Sequence, residues 1–315
     1  MKEIGGYLEL ERYSGSLYHD EALAMNCGRT CLEYLIRTKG IKKLYVPFFC
    51  CDSVKKSCEK CGIEIEFYHI DELFRPVFNK TLKLNEWLYV VNFYGQIDNQ
   101  EVQIWKYKYK NLIFDNAQAY FQRPVDGVDT IYTCRKFLGV ADGGFLYTDE
   151  IKEYQNLEQD ESYENMRFIL GRFERTANEF YKESVYNNHR FEKESMKKMS
   201  KLTTNLLRSF DYLDIVKRRE NNFEFLNKEL EMTNRVTLRV HEGPYMYPYY
   251  SECGEAIRKN MQEKNIYIPI LWPEVLSNCD LESIEYKFAL NILPLPIDQR
   301  YDEEDMKLIV NVLQA

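Results

Sequence analysis

The sequence predicts an α/β protein with a large domain on a mainly parallel sheet, residues 1–205, and a small α+β C-terminal domain, residues 206–315. Three observations predict it. From Cys27 to Thr148 helix-like and strand-like segments alternate, as crossover connections between parallel strands require. The strand candidates there are short apolar runs, which suits strands covered on both faces. Beyond Glu150 the composition turns charged and aromatic, and a long amphipathic segment leads into a second set of strands and helices.

In chain order, Cys27-Gly28-Arg29-Thr30 opens an amphipathic helix carrying Leu32, Leu35 and Ile36. Strands follow at 43–46, 64–68, 88–93, 112–114, 130–133 and 145–147. Helices are expected around 163–173 and 177–186, with an irregular stretch at 187–191. A single long helix fits 202–231, where Leu206, Leu207, Phe210, Leu213, Val216, Phe223 and Leu226 recur at helical spacing. The small domain then reads as a strand at 236–240, a Pro/Tyr-rich stretch at 243–250, a helix at 255–264, segments at 266–270 and 288–293, and a final helix at 303–313.

The chemistry concentrates between Phe114 and Gly144. One strand ends on Asp115, Gln118 lies three residues on, and the next strand delivers Lys136 shortly before Asp142-Gly143-Gly144. Ligands of parallel sheets gather beyond the carboxyl ends of the strands, where Asp115 and Lys136 both fall. An acid and a lysine so placed suit pyridoxal 5′-phosphate (PLP): the lysine forms a Schiff base, and the carboxylate keeps the pyridine nitrogen protonated so that the ring accepts electrons. Cofactor phosphate has a natural seat where Gly28 and Arg29 open their helix, because free N–H groups and the helix dipole attract anions. Arg29 and the Thr133 hydroxyl add charge-assisted bonds. Arg135 reads as structural.

Phe114-Asp115-Asn116-Ala117-Gln118-Ala119, the run Asp129 to Lys136, and Asp142-Gly143-Gly144 resemble the core of the DegT/DnrJ/EryC1/StrS aminotransferases. Cys27-Gly28-Arg29-Thr30, Asn92-Phe93-Tyr94-Gly95 and the segment Leu293 to Met306 extend the resemblance through most of the chain. It implies a fold-type I PLP enzyme that moves an amino group, from glutamate or glutamine, onto a nucleotide-linked keto-sugar. It also implies Lys136 and Asp115 as catalytic residues, Gln118 near the ring hydroxyl or over a ring face, and a homodimer with sites near the interface, the commonest oligomeric form. His189 and Arg190, in the segment after the lysine strand, are expected from the resemblance to reach toward the substrate, often that of the neighbouring subunit, and Arg172 and Arg175 lie in the same segment. The chain departs from the pattern in three places. Cys51 stands where an aromatic usually stacks on the ring, leaving Phe48 or Phe49 as alternatives. Ile131 replaces the serine five residues before the lysine, and the stretch from Asp115 to Lys136 is short. Competing readings are a dehydratase, an enzyme acting on a non-nucleotide acceptor, and a non-catalytic PLP-binding regulator; the retained lysine favours transamination.

Composition narrows the partners. A net charge of -8 argues against a nucleic-acid ligand, and no apolar run approaches a membrane span, so a cytoplasmic protein with small-molecule substrates is expected. The nine cysteines fit a reducing compartment. Cys58 and Cys61 have the spacing of two zinc ligands, but no second pair follows, and no metal is expected.

Overall fold

A computed structural model describes residues 4–314. Its main sheet comprises β1 (Leu23–Met25), β2 (Lys43–Pro47), β3 (Glu64–Ile70), β4 (Pro76–Val77), β5 (Glu86–Val91), β6 (Leu112–Asp115), β7 (Asp129–Thr133) and β8 (Gly144–Tyr147). The order is β1-β8-β7-β6-β5-β2-β3-β4. The central run from β7 to β3 is parallel, and β1, β8 and β4 pair antiparallel at the margins. Helices α1 (Gly28–Thr38), α2 (Asp52–Cys61) and α3 (Asn99–Tyr109) connect the strands. α3 starts where it does because Asp98 accepts from the Gln100 and Glu101 amides while Glu101 reaches back to the Asp98 amide.

Beyond the sheet lie α4 (Arg167–Glu174), α5 (Tyr181–Lys193), α6 (Lys201–Leu207), α7 (Tyr212–Leu230), β9 (Tyr247–Tyr250), α8 (Gly254–Glu263), α9 (Val275–Asn278), α10 (Ile284–Asn291), β10 (Ile292–Leu295) and α11 (Glu303–Gln314). β9 and β10 form a two-stranded antiparallel sheet. A separate apolar cluster unites Phe223, Leu226 and Leu230 of α7 with Met261, Leu293, Leu295, Met306 and Ile309. The other end of α7 packs through Ile215 into a cluster with Phe137 and Phe145. α7 thus ties the C-terminal core to the strand that precedes the lysine.

Three expectations are corrected by tertiary contacts, and the segment at 288–293 gains its assignment. The long helix at 202–231 is two helices, because Asp211 accepts from the Asp214 amide and starts a new one. The irregular stretch at 187–191 is helical and belongs to α5, pinned where Asn187 donates to the Ala141 carbonyl and Phe191 is buried. Residues 236–240 pair with no strand; Val236 and Arg239 donate their amides to the side chains of Asn234 and Gln96 instead. Residues 288–291 are the end of α10, capped by Ser283 and anchored by Glu285, which accepts from the Ile70 amide at 2.8 Å.

Candidate active site

Sheet register assembles the floor of the site. Side chains alternate along a strand, so Tyr89 and Val91 share a face, as do Ile131 and Thr133. Val91 and Ile131 flank Asp115 in register, placing all five side chains on one face at the carboxyl end of the sheet. They line a cleft of about 460 Å³ that also meets the start of α1 and Lys136. Gln118 reaches the same cleft, its Oε1 accepting from the Tyr94 amide at 2.7 Å.

Asp115 is buried and held from two sides. Its Oδ2 accepts from the Tyr89 hydroxyl at 2.6 Å and its Oδ1 from the Ala117 amide at 2.8 Å. Burial raises its pKa, and the Lys136 charge, the Tyr89 hydroxyl and the Ala117 amide oppose that rise. Tyr89 remains a donor because burial holds its phenol well above the ordinary range. The Lys136 Nζ lies 5.6 Å from the centre of the Tyr245 ring. Just beyond Lys136, the Phe137 carbonyl accepts from Arg219 at 3.2 Å and Gln299 at 2.8 Å, fixing the lysine segment to α7 and the C-terminal core.

α1 begins without a side-chain cap, and its first turn contains no acid, so its leading amides lack a side-chain acceptor. Gly28 would accommodate a Cβ, the nearest neighbour being Ile131 Cγ2 at 3.7 Å. The demanding glycine is Gly144, where a Cβ would lie 2.7 Å from the Cys27 carbonyl carbon. Its absence lets β8 press against the start of α1 and positions that turn over the cleft. Gly95 adopts φ +73°, and a Cβ there would strike the His241 imidazole.

Gly28, Arg29, Asp115, Gln118, Thr133 and Lys136, the residues proposed from the sequence, all line this one cleft. His189 and Arg190 do not. The His189 side chain is exposed on α5 and pairs with Glu192. The Arg190 guanidinium is buried and bound to Asp160 at 3.1 Å and Glu194 at 3.0 Å, so within this chain it meets an ion-pair network and not the cleft. Asn188, one residue away, faces the cleft. Arg135, expected to be structural, also lines it. Phe48 stacks on Phe67, and Phe49 packs into the core against Phe93 and Trp272. The aromatic walls of the cleft are instead Phe93, Tyr245 and Trp272, the last in a left-handed conformation at φ +60°. Tyr89, Tyr245 and Trp272 were not singled out by the sequence. Tyr89 was within reach of that reading, since it stands two residues before the strand position that flanks Asp115.

A second cleft, of about 690 Å³, shares Arg135, Lys136, Asn188, Asp298 and Arg300 with the first. Its outer wall is aromatic, built by Phe168 and Phe173 of α4, Phe180 and Tyr181, with Arg172 beside them. Arg175 instead pairs with Glu179. Lys136 stands at the junction of the two spaces. Among the described residues no group of three His, Cys, Asp or Glu side chains is placed to hold a metal, and no helix is long and apolar enough to cross a membrane.

No family model and no curated protein matches this chain. Solved structures do. DesV of S. venezuelae is 15% identical, with 93% of this chain and 84% of that one covered at a TM-score of 0.66. The sugar aminotransferase CalS13 of Micromonospora echinospora is 12% identical over 94% and 87% of the two chains, at 0.63. Spr1654 of Streptococcus pneumoniae in its PMP form is 11% identical over 96% and 92%, at 0.64. The architecture is therefore the fold of the sugar aminotransferases, the PLP fold-type I arrangement expected from the sequence.

Proposed function

We propose that this protein is a PLP-dependent aminotransferase that transfers an amino group from glutamate or glutamine to a nucleotide-linked keto-sugar. The observation that carries the reading is the convergence of Asp115, Lys136 and the uncapped start of α1 on one cleft. The residues fit the cofactor on their own chemistry. A buried carboxylate lines the cleft, with two donors that favour its charged form. Guanidinium nitrogens without an acceptor and the helix amides opening α1 line the same cleft, and a lysine is shared by two spaces.

When bound, PLP supplies a carbonyl for amine capture and an electron-accepting ring. Asp115 would hold a proton on the pyridine nitrogen, and Tyr89 would keep that carboxylate ionised. Gln118 would rest against the ring, held by the Tyr94 amide. Gly28, Arg29 and Thr133 would bind the phosphate. Lys136 would anchor the cofactor covalently and, once displaced by the amino donor, carry the proton to and from the reacting carbon with its Nζ. The acceptor would enter through the second cleft, whose aromatic wall and Arg172 suit a planar base and a diphosphate. The active form would be a cytoplasmic homodimer, consistent with nine free cysteines and with apolar Leu170 and Phe173 exposed on α4.

The test is turnover with PLP, glutamate or glutamine, and a panel of nucleotide-linked keto-sugars, free keto-sugars and keto acids, with product detected by mass spectrometry. Amination of a nucleotide-linked sugar is the expected result. Amination confined to free keto-sugars or keto acids would remove the nucleotide, and no amination of any acceptor would remove the aminotransferase reading. Light scattering that finds an active monomer would remove the dimer.

A further inference from the structure

The Lys136 ammonium is held by a ring and not by an anion. Among the described residues Nζ forms no hydrogen bond or ion pair, and it lies 5.6 Å from the centre of the Tyr245 ring. Asp115 feels the lysine charge but gives its oxygens to Tyr89 and Ala117. Asp298, which lines both clefts with Lys136, is taken up by the Arg300 guanidinium at 2.6 and 2.7 Å. Burial pushes the Tyr245 phenol up to about 12 against the Arg219 charge, so Tyr245 presents a neutral ring.

That ring is aimed by Arg219. This residue of α7 is 1% exposed, and no carboxylate pairs with it among the described residues. Its donors go to three separate segments instead. Nη1 donates to the Pro244 and Tyr245 carbonyls at 3.0 and 3.2 Å, Nη2 to the Phe137 carbonyl at 3.2 Å, and Nε to Gln299 Oε1 at 2.9 Å. The residue after the lysine and the residue carrying the ring therefore hang from one guanidinium, and the Phe137 and Tyr245 rings meet at 5.4 Å. Burying a cation without a carboxylate is costly. What the guanidinium supplies is geometry, because its planar fork joins three segments at fixed angles and an ammonium on a flexible stem does not.

A lysine that bonds a ligand reversibly has to keep its head in place between bonds, although its four-carbon stem is flexible. A carboxylate would fix the head by a charge-assisted bond that each release must break. A ring face within about 6 Å attracts the ammonium and leaves its N–H groups free. We propose that Tyr245, aimed by Arg219, is the seat of the unbonded Lys136 side chain at the junction of the two clefts, which makes Arg219 a positioning residue. That the lysine carries PLP rests on the cofactor reading above; the seat does not.

The experiment reductively methylates the cofactor-free protein with isotope-labelled formaldehyde and reads the methyl NMR signals of the dimethyl-lysines, which remain cationic. Lys136→Arg identifies the Lys136 signal. The ring current is expected to place that signal upfield of the exposed lysines. The upfield position should persist in Tyr245→Phe, which keeps the ring, and vanish in Tyr245→Leu, which does not. Arg219→Met should move the signal toward the exposed lysines while the chain stays folded. Arg219→Lys, which keeps the charge without the fork, should do the same and decides the comparison if Arg219→Met does not fold. In the PLP-loaded protein Tyr245→Leu is expected to lower kcat by about 2- to 30-fold with the donor KM nearly unchanged, the range of one cation–π contact. A Lys136 signal among the exposed lysines in the unmodified chain, or one that Tyr245→Leu leaves upfield, would overturn the seat. A signal unmoved in a folded Arg219 variant would overturn the positioning role. An upfield signal with the expected dependence on Tyr245, in a chain that binds no PLP, would overturn the cofactor reading and leave the seat standing.

Discussion

The Tyr89 hydroxyl donates to the Asp115 carboxylate across 2.6 Å, from two residues further back on the neighbouring strand. The contact joins a buried acid, whose ionisation burial opposes, to a phenol that burial keeps protonated. Together with the Lys136 charge and the Ala117 amide, this bond favours the ionised form of Asp115 against burial.

Tyr89→Phe removes a donor that favours the charged carboxylate, so the Asp115 pKa moves further up. On the proposed reading the working form is the carboxylate. The acid limb of the pH–rate profile should shift to higher pH by about 1 unit or more, with the alkaline limb unchanged. A profile that keeps its acid limb in place would separate Tyr89 from this role.

Asp115→Asn preserves shape and removes charge. The variant should retain PLP and lose turnover by about 10²- to 10³-fold, the scale of a lost electrostatic contact at a reacting centre. Stopped-flow half-reactions at the unmodified rate would contradict the assignment.

Lys136→Ala should leave PLP bound without a covalent link. Borohydride reduction followed by peptide mass spectrometry is expected to tag the peptide containing Lys136 in the unmodified protein and no lysine in the variant. A tag on another lysine would relocate the site.

Arg190→Ala takes the guanidinium from Asp160, whose side chain is 2% exposed and is left with Lys197 at 3.5 Å and Asn26 at 3.2 Å, and from Glu194. Breaking a buried ion pair from one side costs at most about 3–5 kcal/mol, and Lys197 offsets part of it here. Denaturant unfolding should reveal that loss. An unchanged midpoint together with a raised acceptor KM would restore the substrate contact that the sequence suggested for Arg190.

His19 is fully buried among Tyr18, Tyr120, Tyr132 and Phe145, and burial depresses its pKa to about 3. The folded state keeps the ring neutral while the unfolded chain protonates it near its ordinary value. Stability is thus fully present above about pH 6.5 and declines as pH falls toward the folded-state value, by up to about 1.4 kcal/mol per pH unit for this group. His19→Gln should flatten the pH dependence of unfolding between about pH 6 and 4. An identical slope in the variant would place the acid sensitivity elsewhere.

The alternation of strands and helices from Cys27 to Thr148, the acid ending β6 and the lysine after β7 were legible because each depends on local patterning. Short continuous apolar runs mark strands covered on both faces wherever they pair, and side chains at strand ends in a parallel sheet converge whatever surrounds them. That is why six predicted cofactor-cleft residues, Gly28, Arg29, Asp115, Gln118, Thr133 and Lys136, do line one space. Elements whose local signal is ambiguous behaved differently. Residues 236–240 have strand-like composition but find side chains to bond instead of a neighbouring strand, and residues 187–191 are helical because Asn187 and Arg190 are tied down by distant groups.

By itself, then, the sequence determined the sheet, the order of the chemical groups along it and the cofactor chemistry they suit, since these follow from periodicity and chain order. Only the tertiary structure decided which of several arginines carry free charge. Arg190 meets two carboxylates, while Arg29 and Arg135 meet one asparagine, and nothing in their spacing distinguishes them. The same holds for Tyr89 against Asp115 and Trp272 in the cleft wall. Charge compensation and side-chain contact are properties of neighbours in space, and those neighbours are set by strand register and by the docking of the C-terminal core.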